Sequence, residues 1–118
     1  MDINGFRQFL RDNQKRNSIL SEIMSGMSEE HWNNKYSGRY QSIHELHSRI
    51  FIKDYRWLNK VVALREYKGL NKDYFSKDYK FTELLFANIS EYRTKREELD
   101  KIIVDISDEL TEDDFKKY

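Results

Sequence analysis

The chain contains no cysteine and no proline, and only 4 of its 118 residues are glycine. The lack of cysteine excludes disulfide bonds, thiolate metal sites and a cysteine nucleophile, and it leaves imidazole and carboxylate as the strong metal ligands. Because proline and glycine are the commonest helix breakers, their scarcity allows long uninterrupted helices. The composition therefore favours an all-α fold.

A long apolar run and an excess of charge of either sign are also missing. The 21 basic residues balance the 21 acidic ones, so no long-range field would attract a nucleic acid or an anionic membrane surface. The start of the chain, from Met1 to Phe9, has no apolar run long enough for a signal peptide or a membrane span. We therefore expect a cytoplasmic protein that binds neither nucleic acids nor membranes.

Aromatic residues are plentiful enough to build one core. The chain has 7 Phe, 8 Tyr and 2 Trp, and large rings at regular spacing bury enough surface to offset the loss of chain entropy on folding. A length of 118 residues is usual for one domain. We predict a single helical-bundle domain over residues 1–118.

Three segments carry residues at alternating steps of three and four, which is the spacing of one helix face. They predict helices over residues 3–25, 42–66 and 81–107. Gly26 suits the C-terminal cap of the first helix, because glycine reaches left-handed backbone angles without a steric penalty. The stretches over residues 26–41 and 67–79 lack this periodicity and are predicted to be connections.

The second helix has the clearest start signal. Ser42 and Glu45 form a capping box, in which each side chain bonds the backbone N–H of the other residue. The predicted buried stripe of this helix consists of Ile43, His47, Ile50, Asp54, Trp57, Val61 and Leu64. Three long helices joined by long connections cannot easily enclose all their stripes, so a fourth wall is expected from a following helix or a second subunit.

Two short segments resemble each other. The segment from Met27 to Trp32 and the segment from Leu110 to Phe115 both follow the end of a predicted helix, and each places Ser or Thr before acidic residues. This pattern is typical of a helix exit followed by a capped turn. We predict one such turn at Ser28 and a second near the end of the chain.

His44 and His47 are the candidate metal ligands. Their spacing on the second helix would let both rings approach one cation. Two imidazoles fall short of the three or four ligands of a usual zinc site, however. A structural role, with His47 partly buried against Asn13 or Asn17 and His44 in solvent, is the interpretation we favour, and the metal site is the alternative.

Asp54 is unusual on an apolar stripe, since a buried carboxylate normally needs a partner. Arg96, on the third helix, is the expected partner, and the pair would fix helix register rather than take part in catalysis. Asn13 and Asn17 lie on the stripe of the first helix, where they would set register or line a polar pocket. A serine in a nucleophile elbow and a phosphate-binding glycine loop are both missing from the sequence.

Taken in order, these motifs resemble the DinB family over nearly the whole chain. The matching residues are Asn13, Asn17 and Leu20; Ser28, Glu29 and Glu30; Tyr40, Ser42 and Ile43; Ile50, Asp54, Trp57 and Leu58; and Arg96, Leu99 and Asp100. The resemblance implies an up-down-down-up four-helix bundle, commonly dimeric, of which this chain would supply the first three helices.

The same resemblance implies a divalent metal such as zinc, nickel or iron, held by one histidine of the second helix and two of the last helix. Arg49 stands at the position of the second-helix histidine. Arginine stays protonated and has no lone pair for a cation, so Arg49 cannot replace that ligand. The histidine pair of the last helix would lie beyond Tyr118.

Two functions are therefore open. The first is a DinB-like metal-dependent enzyme, similar to thiol-dependent transferases or hydrolases, whose metal polarises a thiol or water for attack on a small-molecule substrate. The second is a non-catalytic homodimeric bundle with a degenerate metal site and a role in binding or stress response. Arg49 favours the second function, and a shared fold alone does not decide activity.

Overall fold

The computed structural model describes residues 2–35, 42–63, 66–68, 70 and 72–116. The helices in these residues are α1 (Ile3–Ser25), α2 (Glu29–Asn33), α3 (Ile43–Val62), a 3-10 helix (Lys72–Phe75), α4 (Ile89–Glu109) and α5 (Glu112–Phe115). The described residues contain no β-strand, so the all-α prediction is confirmed for this part of the chain. None of these helices combines the length and the apolar character needed to cross a bilayer.

Helix α1 has the predicted bounds. Asp2 caps its start by accepting a hydrogen bond from the Gly5 N–H at 2.7 Å. Gly26 caps its end, but the left-handed conformation predicted for it is wrong, because its φ is −84° and its ψ is −3°. The N–H of Gly26 donates to the Ile23 carbonyl at 3.3 Å, so the helix ends in a tightened right-handed turn.

Both predicted capped turns are present, and each forms a short helix. The Ser28 hydroxyl accepts a hydrogen bond from the His31 N–H at 3.1 Å and starts α2. Thr111 and Asp114 form a reciprocal capping box at the start of α5. The predicted match at Tyr40 lies outside the described residues.

Helix α3 starts as predicted but ends earlier. Ser42 accepts from the Glu45 N–H at 3.0 Å, and the helix ends at Val62 rather than at Glu66. Ala63 forms its C-cap in a right-handed conformation. The predicted stripe residue Leu64 lies outside the described residues.

The buried face of α3 is rotated from the predicted stripe. Ile50 is 39% exposed and Trp57 is 37% exposed, so the expectation that both would be covered is wrong. The buried face instead consists of His44, His47, Ser48, Phe51, Ile52, Tyr55, Leu58 and Val61. The cause is the aromatic connection after α3, which packs on the face of Phe51 and Tyr55 and so draws that face inward.

Helix α4 begins at Ile89, so the predicted start at residue 81 is wrong. Phe86 has a φ of 68°, which a right-handed helix cannot contain. The Asn88 side chain then accepts from the Glu91 N–H at 2.8 Å and caps the new helix. From Ile89 onward the predicted stripe is confirmed, and its buried members are Ile89, Tyr92, Arg96, Leu99, Ile103 and Ile106.

The connection from α3 to α4 is therefore longer than predicted, and its aromatic residues bind it to α3. The Tyr55 hydroxyl donates to the Tyr74 carbonyl at 3.0 Å and accepts from the Lys77 N–H at 3.3 Å. The Phe51 ring meets the Phe86 ring edge to face at 5.2 Å. These contacts hold the connection against one side of α3.

Helices α1 and α4 run in opposite directions. The Arg7 side chain bonds the Ser107 carbonyl at 2.9 Å, whereas Asn17, further along α1, bonds Asp100, earlier on α4. This packing contributes most of the contact between the long helices.

Helices α3 and α4 run in the same direction. His47 meets Tyr92, and Asp54, further along α3, meets Arg96, further along α4. The long helices thus run up, down and down. A fourth long helix is not among the described residues, so the four-helix bundle stays a prediction. The core draws on α1 to α4, and the predicted single domain is untested.

Candidate functional site

The His44 ring is buried and held by two acceptors, so the prediction that it would be in solvent is wrong. It is 9% exposed, its Nδ1 lies 3.0 Å from Asn33 Oδ1, and its Nε2 contacts the Leu85 carbonyl oxygen. The Asn33 amide is oriented by its own Nδ2, which donates to the Glu29 carbonyl at 3.0 Å. Both ring nitrogens of His44 therefore face acceptor oxygens, one on α2 and one before α4.

His47 is buried and neutral. Its Nδ1 lies 3.2 Å from the Tyr92 hydroxyl, so the predicted partners Asn13 and Asn17 are wrong. Burial, together with the positive charge of Arg96, lowers the pKa of His47 to about 4. Burial raises the pKa of Tyr92, so its hydroxyl stays protonated beside His47 Nδ1.

Trp32 joins the two histidines into one closed cluster. The indole is fully buried, and its ring lies 4.9 Å from His44, 6.1 Å from His47 and 5.5 Å from Tyr92. The rings of Trp32 and His44 are stacked, with an angle of 21° between their planes. The cluster is thus a packed part of the core, and its rings contact one another.

Three of the four ring nitrogens of the two histidines already have polar partners inside the core. Both nitrogens of His44 face acceptor oxygens, and Nδ1 of His47 faces the Tyr92 hydroxyl. In the described part of the chain, no group of three His, Asp or Glu side chains could hold a metal ion. The structure brings the two predicted ligands close to Trp32 but does not bring a third ligand to them.

Arg49 binds the connection between α3 and α4. Its Nη1 donates to the Glu83 carbonyl at 3.1 Å, and its Nη2 pairs with Glu45 at 3.3 Å. Its guanidinium also lies 5.9 Å from the centre of the Phe81 ring. At the position where the family resemblance places a histidine ligand, this chain therefore has a structural clamp.

A second polar cluster connects the three long helices. Arg96, which is 2% exposed, donates from Nη2 to Asp54 at 2.7 Å and to Asp100 at 2.5 Å, and its Nε donates to Asp100 at 3.0 Å. Asn17 Nδ2 lies 3.1 and 3.3 Å from the two Asp100 oxygens. The predicted pairing of Asp54 with Arg96 is confirmed, and the prediction that Asn17 needs a polar partner is met by Asp100.

This ionic cluster has more negative than positive charge. Burial disfavours the charged form of Arg96, but the two carboxylates outweigh burial and raise the pKa of the guanidinium. Burial also raises the pKa of Asp100, against the opposing effects of Arg96 and Asn17. When both carboxylates are ionised, one guanidinium faces two of them, and the cluster carries an excess of one negative charge.

A groove of about 380 Å³ lies between α1 and α3, and we call it the α1–α3 groove. The Phe6 and Trp57 rings meet edge to face at 6.3 Å where its two walls approach each other. Its apolar lining consists of Phe6, Phe9, Leu10, Ile50, Trp57 and Ile103. Its polar lining consists of Asn13, Asn17 and Asp54. The groove therefore combines large apolar side chains with two amides and one carboxylate.

A more polar groove of about 340 Å³ lies on the other side of α1, facing α4. Arg96, Asp100 and Asn17 reach it from the ionic cluster, and Ser21 lies beside them. Its rim carries charges of both signs, such as Arg93 and Glu97, so the groove does not favour one class of ligand. The prediction that Asn13 and Asn17 set register or line a polar pocket is confirmed for Asn17, whereas Asn13 lines only the α1–α3 groove.

Several residues of these clusters were not identified from the sequence. Trp32 was treated only as part of a turn, and the Leu85 contact is made by a backbone oxygen that side-chain patterns do not reveal. A usable signal did exist for Asp100, because it lies four residues after Arg96 and so shares its helix face. The sequence had indicated only one of the two carboxylates that bind Arg96.

No family model, no curated protein and no solved structure matches this chain. The resemblance to the DinB family therefore depends on the ordered motifs alone. It stays a prediction, as do the metal and the dimer that it implies.

Proposed function

We propose that this chain is a non-catalytic, homodimeric helical bundle of the DinB type with a degenerate metal site and a binding or stress-response role. The order of the sequence motifs and the up-down-down course of the long helices support the family assignment. The homodimer is supported by the α1–α3 groove, in which large apolar side chains meet solvent.

One observation carries the choice against metal catalysis: the ring nitrogens of His44 both contact acceptor oxygens inside the core. A catalytic zinc site needs about three protein ligands with free lone pairs. Freeing His44 would break its contacts to α2 and to the residues before α4. Metal binding would thus oppose the packing that holds these elements together.

The competing function is the metal-dependent transferase or hydrolase. It would require His44 or His47 to leave its partners and further ligands to join it. Titration calorimetry of the purified chain with zinc, nickel and ferrous ions separates the two functions. We expect no stoichiometric binding by the parent, and the same result for the His47→Gln variant.

The exposed His31 provides the control for adventitious binding, because a weak signal that disappears in a His31→Gln variant does not come from the core histidines. One-to-one binding that persists in His31→Gln and disappears in His44→Gln or His47→Gln would contradict the proposal. The cytoplasmic location, the stress-response role and the lack of nucleic-acid partners stay parts of this proposal.

A further inference from the structure

Helix α1 presents an exposed stripe whose first two residues, Phe9 and Asn13, line the α1–α3 groove. Phe9, Asn13, Arg16, Leu20 and Ile23 follow one another at steps of four, three, four and three residues, so they share one face of the helix. Phe9 is 50% exposed, Leu20 is 41% exposed and Ile23 is 68% exposed. The stripe is therefore an apolar ridge that meets solvent.

Arg16 is the one charged residue of this stripe, and it lies at the middle, seven residues after Phe9 and seven before Ile23. It is exposed and has no ion pair with any residue in the part of the chain that the structure describes. The ridge thus combines apolar side chains with one central unpaired cation.

The groove beside this ridge has the complementary chemistry. Its wall is apolar except for two amides and the Asp54 carboxylate, whose side chain is 35% exposed. Asp54 shares Arg96 with Asp100, so the excess negative charge of the ionic cluster reaches solvent at Asp54. An occupant of this groove needs apolar side chains and one cation near its centre, and arginine matches a carboxylate best.

We propose that a second copy of this chain fills the groove, with the two α1 helices antiparallel about a two-fold axis and Arg16 of each copy paired with the partner subunit's Asp54. This inference rests on the homodimer proposed above and names its interface. An antiparallel pairing centred on Arg16 brings Phe9 of one copy beside the partner subunit's Ile23. Each copy then offers the same surface, as a two-fold interface requires.

Sedimentation velocity over a wide range of chain concentration tests this interface, with the parent, Arg16→Glu and Lys15→Glu compared. The two substitutions make the same change of charge at neighbouring exposed positions, but Lys15 lines the more polar groove between α1 and α4. Arg16→Glu replaces two attractive pairs per dimer by repulsion, so we expect its dimer dissociation constant to rise by about tenfold or more. Lys15→Glu should change it by less than about twofold.

The outcomes separate this inference from the proposed function. A parent chain that is monomeric at every concentration would overturn both the homodimer and its interface. A parent dimer that Arg16→Glu and Lys15→Glu weaken equally would overturn the interface alone. Circular dichroism verifies that each variant is folded, and Ile23→Asn, at the most exposed position of the ridge, is a second variant that should weaken the dimer.

Discussion

The two sides of α1 differ in how completely they are covered. On the face turned toward the core, Leu10 and Met24 are buried, and Asn17 is tied to the buried Asp100. On the outer face, Phe9 and Ile23 meet solvent although they are as apolar as the core residues. One helix thus has a face that holds the fold together and a face that the single chain leaves open.

This difference separates stability from association. A residue on the covered side contributes to the free energy of unfolding of one chain, because its burial accompanies folding. A residue on the open side contributes little until another surface covers it, and its replacement should mainly change binding. Replacements on the two faces of α1 should therefore affect different quantities.

The largest loss of unfolding free energy is expected at the ionic cluster of Arg96, Asp54 and Asp100. Replacing Arg96 by Ala leaves Asp54 and Asp100 without their shared cation, and loss of one partner from a buried ionic group costs about 3–5 kcal/mol of unfolding free energy. Urea denaturation of Arg96→Ala measures this loss. The control is the exposed Arg93→Ala, which should stay within about 0.5 kcal/mol of the parent. Equal free energies of unfolding for Arg96→Ala and the parent would refute the pairing of Arg96 with the two carboxylates.

Neighbouring residues of α3 provide the second comparison. Leu58 is 1% exposed and Trp57 is 37% exposed. In dilute solution Leu58→Ala should cost about 2–5 kcal/mol, as usual for a core leucine, whereas Trp57→Ala should cost about 1 kcal/mol because its ring is partly solvated. Denaturation at low chain concentration measures both. An equal loss of unfolding free energy in Leu58→Ala and Trp57→Ala would mean that the α1–α3 groove is already closed in the single chain.

The histidine cluster should make stability depend on pH. Because the pKa of His47 is lowered from 6.5 to about 4, the unfolded chain takes up a proton over this range while the folded chain does not. This contribution is complete above about pH 6.5 and is lost as the pH falls toward 4, by roughly 3 kcal/mol in all.

Unfolding free energies at pH 7 and pH 4.5 check this dependence. His47→Asn should show a shallower decline than the parent, because asparagine does not titrate. His31→Asn, at an exposed position, should keep the decline of the parent. Identical declines in the parent and His47→Asn would assign the acid sensitivity to other groups.

The smallest change in stability is expected at Gly26, the C-cap of α1. Its backbone is right-handed, and a Cβ there would meet nothing closer than the Ile23 carbonyl oxygen at 3.7 Å. Gly26→Ala should therefore stabilise the chain by about 0.4–1 kcal/mol through the unfolded state. A thermal melt checks the sign, and a clear destabilisation would restore the left-handed cap expected from the sequence.

The sequence predicted the local features of the fold, such as helix caps, better than it predicted which helix faces are buried. Caps at Ser28, Ser42 and Thr111 depend on adjacent residues, so local patterns identify them. The start of α4 was misplaced because the left-handed Phe86 interrupts an apolar spacing that continues on both sides. The rotation of α3 depends on a distant aromatic connection, which periodicity within one helix cannot reveal.

The candidate site was predictable only where charge required a partner. The pairing of Asp54 with Arg96 follows from the cost of burying either group alone. The environment of His44 did not follow, because it consists of an amide on α2 and a backbone carbonyl before α4. These partners come together only through the tertiary fold, so spacing along α3 wrongly suggested a solvated ring.

Quenching of Trp57 fluorescence by acrylamide tests the central claim, that the α1–α3 groove is open in one chain and covered by a second. The fully buried Trp32 contributes a weakly quenched background, which the Trp57→Phe variant measures separately. We expect the quenching constant of Trp57 to fall as chain concentration rises through the dimerisation range, and to stay high in Arg16→Glu. A quenching constant that is independent of concentration in the parent would contradict the claim.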